Sequence, residues 1–111
     1  MTTPEQPDLD RALDQMWLKF RPQMEERVIT LEAAANALAA NALSSDESAD
    51  AAAAAHKLAG VLGIFGLARG TDLARQLEQL YSAALAPTSA QHLISLTAEL
   101  RSLIASRSLR T

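Results

Sequence analysis

A chain of 111 residues has room for one domain with a single core, and 49% hydrophobic with 21% charged residues places it among ordinary globular proteins, not disordered ones. A net charge of -3 without any Lys/Arg stripe argues against nucleic-acid binding, and the absence of cysteine removes disulfide and thiolate chemistry. No apolar run approaches the roughly 20 residues of a membrane span, and the acidic, polar opening MTTPEQPDLD is unlike a signal peptide, so the expectation is a single cytoplasmic domain over residues 1–111.

Pro7 and Asp8 precede LDRALDQMWLKF, in which Leu9, Leu13, Met16, Trp17 and Phe20 share one face. This reads as a short first helix with Asp8 as N-cap, stapled to the rest by Trp17 and Phe20. After Arg21 and Pro22 a longer helix is expected, its Met24, Val28, Leu31, Ala35, Leu38 and Ala42 keeping a three-four repeat up to Leu43. Ser44, Ser45 and Asp46 form a polar break, Ser45 to Ser48 is compatible with a capping arrangement, and a further helix runs from Ser48 to Phe65. Gly63, Gly66 and Gly70 blur its end, because each Gly costs about 1 kcal/mol against Ala inside a helix. The next helix is secure from Thr71, with Leu73, Leu77, Leu80 and Ala84 inward, and stops before Ala86-Pro87. Thr88 or Ser89 then caps a last helix carrying Leu93, Leu96, Leu100, Leu103 and Ile104. Nothing alternates in the manner of a strand. Short connections make neighbours antiparallel, so the fold class is all-α: an up-down-up-down four-helix bundle with a short N-terminal helix packed on it.

His56 is the most informative residue. At about 100° per helical residue, the positions within roughly 60° of it are Ala49, Ala52, Ala53, Ala59, Gly60 and Gly63, all small. The opposite side collects Ala51, Ala54, Leu58, Val61 and Phe65, a core-facing stripe. The imidazole is therefore expected to point outward from a smooth pad that another macromolecule can approach.

The segment AHKLAGVLGIFGLA, Ala55 to Ala68, resembles the signature of the histidine-containing phosphotransfer (HPt) domain: a His, an apolar residue at +2, and Gly at +4 and +10, here His56, Leu58, Gly60 and Gly66. LARQLEQL, Leu73 to Leu80, is similar to the family's next helix, and the family's bundle fold agrees with the one read from periodicity. The resemblance implies that the outer ring nitrogen of His56 takes a phosphoryl group from an aspartyl phosphate and returns it to another aspartate. The partners would be receiver domains of a hybrid histidine kinase and of a response regulator, which supply the carboxylate and the Mg²⁺; this chain would bind no cofactor and act as a monomeric carrier. It has no nucleotide-binding segment with which to phosphorylate itself from ATP.

One position departs from the family. Many members carry Lys three residues after the His, where this chain has Ala59. Lys57, about 100° round the helix, is either a substitute cation or a solvated flank. Glu78 corresponds to a position that orients the imidazole in the family, and Arg69 and Arg75 are further candidates for phosphate or partner contact. Ala52, Ala53, Ala59, Gly60 and Gly63 would form the receiver-docking pad. The rival reading is an adaptor that binds a receiver or a partner helix through the Ala/Gly face without carrying phosphate. His92 has no ligand-spaced neighbours and reads as structural or solvated, the glycine series lacks the G-x-G-x-x-G of a phosphate loop, and His56 has no triad partners. A start at Met1 points to a stand-alone protein and not a fragment of a larger kinase.

Overall fold

The computed structural model describes residues 5–107, so the ends of the expected 1–111 domain lie outside the described residues. Four α-helices run in order: α1 Glu5–Ala39, α2 Ser45–Ile64, α3 Ala68–Tyr81 and α4 Ala90–Ser106, the last preceded by a 3-10 turn at Pro87–Ser89. Each helix packs mainly on two others in the cyclic order α1–α2–α3–α4. Paired positions run in opposite senses: Glu32 and Asp14 of α1 meet Arg101 and Arg107, and Ser48 and His56 of α2 meet Tyr81 and Glu78. The expected antiparallel bundle is observed.

The separate N-terminal helix is not. Residues on both sides of Pro22 form one helix, so Asp8 lies inside α1 and caps nothing. Proline in a helix interior costs about 3 kcal/mol, and two features of this site outweigh that. Pro22 and Leu18, whose carbonyl loses its usual i+4 donor, are both exposed, so water can satisfy the orphaned oxygen. Trp17, Met24, Val28 and Leu31 meanwhile form one buried stripe straight through the proline, and each large side chain in it gains about 1.5–3 kcal/mol from burial.

The remaining boundaries shift for local reasons. α1 ends at Ala39, not Leu43, with Asn41 in the left-handed region at φ 54°. α2 starts one cap earlier than expected: Ser44 accepts from the Glu47 amide at 3.1 Å while the Glu47 carboxylate accepts from the Ser44 amide at 3.0 Å, a reciprocal capping box. That amide holds the Glu47 carboxyl below its ordinary value. Gly66, at φ +68°, makes the reversal after α2, and α3 begins at Ala68, before Thr71. Gly70 is thus a helical residue, and a Cβ there would stand 3.2 Å from Leu62 Cδ1; the missing side chain lets α3 lie close on α2. At its far end α3 stops at Tyr81, whose buried hydroxyl donates to the Leu31 carbonyl and whose pKa is pushed up to about 12 by burial. Ser89 occupies the N-cap of α4 but makes no side-chain capping bond.

Trp17 does staple the bundle, with Phe65 as its partner. Their rings meet edge-to-face, 5.1 Å between centroids, while Phe20 is only half-buried.

Candidate functional site

The buried face of α2 consists of Ala51, Ala54, Ala55, Leu58, Ala59 and Leu62. Its centre is rotated towards α3 from the expected stripe, which leaves Val61 half-buried and covers Ala59, 7% exposed. The open pad is corrected at that position. Small residues on both helices, Ala55 and Ala59 on α2 with Gly70 and Ala74 on α3, suit this close approach. His56 sits at the edge of the α2–α3 contact with 73% of its side chain exposed.

The imidazole Nδ1 lies 2.9 Å from Glu78 Oε2. A carboxylate accepts and cannot donate, so the hydrogen resides on Nδ1, and in the neutral ring Nε2 keeps its lone pair and faces outward. Glu78 is only 33% exposed and lies one helix away on α3. The pair joins the hydrogen bond from Ser48 Oγ to the Tyr81 carbonyl, 2.7 Å, in pinning α2 to α3. Glu78→Ala frees the ring to adopt the other tautomer and is expected to raise the share of the Nε2–H form, whereas Glu78→Gln, which still offers an accepting oxygen, keeps most of the Nδ1–H form. Ring ¹⁵N chemical shifts check this; a tautomer ratio unmoved in Glu78→Ala would show that the carboxylate does not orient the ring.

A shallow hollow of about 290 Å³ opens beside the imidazole, lined by His56, Ala59, Gly60, Arg75, Glu78 and Gln79. The other sequence candidates spread out. Ala53 is exposed on the outer side of α2, as is Lys57, which does not line the hollow. Ala52 is half-buried in a separate groove with Leu38, Ser44 and Tyr81. Gly63 borders a third depression with Gly66, Thr71 and Arg75. Arg69 is committed elsewhere: its guanidinium donates to both Glu99 oxygens, at 2.7 and 3.1 Å, and to Asp72. These contacts hold the Glu99 carboxyl below its usual range. His92 is exposed on α4, away from the hollow. Gln79 is the lining residue that sequence reasoning missed; its spacing of four from Arg75, which puts both on one helix face, was the available signal.

The Hpt domain family model matches residues 15–106. This chain belongs to the Hpt domain family. That family carries out histidine phosphotransfer in two-component phosphorelays and interacts with receiver domains. Protein RcaC of Microchaete diplosiphon is 39% identical to this Hpt domain over 66 residues, which is 60% of the chain and 10% of RcaC. The chain therefore spans about a tenth of the curated relative it matches. No solved structure matches it. Among the described residues no helix is long and apolar enough to cross a membrane.

Proposed function

We propose that this Hpt domain carries a phosphoryl group on His56, taken from the aspartyl phosphate of one receiver domain and passed to the aspartate of another. The observation that carries this reading is the His56–Glu78 pair: an exposed imidazole whose inner nitrogen is held at 2.9 Å by a carboxylate, leaving the outer one free to attack. In the forward step the Nε2 lone pair forms the N–P bond as the P–O bond to the donor aspartate breaks, and that electron pair leaves on the carboxylate oxygen. The Nδ1 hydrogen stays against Glu78, whose negative charge offsets the positive charge that develops on the ring. The Mg²⁺ and the catalytic carboxylates belong to the receiver, a hybrid kinase's in one direction and a response regulator's in the other. Incubation with a panel of ³²P-labelled receiver domains tests this directly. Transfer of label from at least one receiver supports the relay, and binding without transfer supports the adaptor reading, for which the absence of a lysine at Ala59 is the motivating feature.

Docking is tested separately at Gly60, one turn after His56 and exposed. A Cβ built there meets nothing within 4 Å, so Gly60→Ala is expected to raise stability by up to about 1 kcal/mol. Gly60→Gln puts a long side chain beside the attacking nitrogen and is expected to slow transfer at least tenfold, about 1.4 kcal/mol on the barrier. Thermal melts and transfer rates check the two outcomes; unchanged kinetics in Gly60→Gln would remove this face from the docking surface.

A further inference from the structure

A phosphoryl group on Nε2 brings a charge of about -1.5 to -2 to a ring whose other nitrogen is already held by a carboxylate. The positive charge that develops on the ring is already matched by Glu78, so the phosphoryl oxygens call for a further cation of their own. The α2 helix offers none inside the hollow, because position 59 is alanine and Lys57 does not line it. Among the described lining residues Arg75 is the sole cation, reaching in from α3. It stands one turn before Glu78 on the same helix, a spacing that places the two side chains together. Glu78 is already engaged by His56, and Arg75 is exposed and makes no hydrogen bond or ion pair among the described residues. Arg69, one helix face away, is consumed by Glu99 and Asp72.

We infer that Arg75 is the phosphate-binding cation of this domain, donating its guanidinium hydrogens to the oxygens of the phosphoryl group on His56 from α3. Such a fork recognises the phosphoryl oxygens in pairs, which an ammonium cannot do. This inference rests on His56 being the phosphoacceptor. As the N–P bond forms and the donor's P–O bond breaks, Arg75 gains contacts that do not exist before transfer, so it favours the phosphorylated state as well as the route to it.

The test uses phosphoramidate, a small P–N donor that phosphorylates imidazole without any partner protein and so separates phosphate binding from docking. Arg75→Ala is expected to slow labelling of His56 about tenfold, the loss of roughly one charge-assisted hydrogen bond. In ³¹P spectra it is also expected to raise the pH at which the phosphoryl group loses its last proton, because the dianion has lost its cation; a merely structural role would not move that titration. Arg75→Lys recovers both in part, and Lys57→Ala and Arg69→Ala leave both unchanged. Labelling and titration in Arg75→Ala that match the unmodified protein would overturn the assignment, as would a Lys57→Ala variant that reproduces the loss. Failure of the unmodified protein to label on His56 would instead overturn the phosphoacceptor reading, and this inference with it.

Discussion

His56→Gln is expected to abolish phosphorylation outright while leaving helical circular dichroism and the melting temperature unchanged. Glutamine keeps a polar side chain of comparable reach and has no nucleophilic ring nitrogen. The side chain it replaces is 73% exposed, so little packing is lost. The bond to Glu78 also sits largely in solvent, where such pairs are worth about 0–1 kcal/mol. The loss is therefore chemical, not structural. Labelled protein should carry acid-labile, alkali-stable phosphate in the unmodified form and none in the variant. Label surviving in His56→Gln, or found on His92, would end the assignment.

Arg107→Ala is expected to produce the largest loss of stability. Its side chain, 5% exposed, folds back from the end of α4, with Nη1 3.5 Å from Asp14 Oδ1 on α1. The guanidinium carbon lies 4.8 Å from the Trp17 ring centre and 5.3 Å from that of Phe65. One cation thus joins α1, the end of α2 and α4 beneath the bundle. Deleting it takes the guanidinium away from a buried carboxylate and uncovers two aromatic rings, which is expected to cost about 3 kcal/mol. For a domain of this size that lowers the melting temperature by more than about 10 °C. Arg107→Met combined with Asp14→Leu removes both charges and keeps the apolar cover, so much of the loss should return. Chemical denaturation of the single and double variants checks this; a loss under about 1 kcal/mol in Arg107→Ala would show that the pair is not a structural tie.

Much of this molecule is legible in its apolar spacing. Leu73 and Leu77, or Leu93, Leu96, Leu100 and Ile104, can be buried together only on a helix, and short connections then leave little choice but an antiparallel bundle. His56 is legible for a related reason: the residues around its azimuth are small, and its neighbours carry the family's spacing. Pro22 misleads because its local cost is visible in the sequence, whereas the buried stripe that overrides it is a property of the assembled core. The segment around Gly66 and Gly70 is hard to divide for a similar reason: one glycine serves a left-handed turn and the next a close helix contact, and the residue type alone does not say which.

By itself, then, the sequence determined the helical bundle, the outward histidine and its family, since periodicity and a short motif are properties of neighbouring residues along one chain. Only the tertiary structure decided that Ala59 is covered, that Glu78 holds the imidazole, that Arg69 is spent on Glu99 while Arg75 borders the hollow, and that Arg107 closes the base over Trp17. Each of these depends on the rotation and register of one helix against another. An error of about 60° in azimuth, less than the step between consecutive residues, is enough to turn a surface alanine into a buried one.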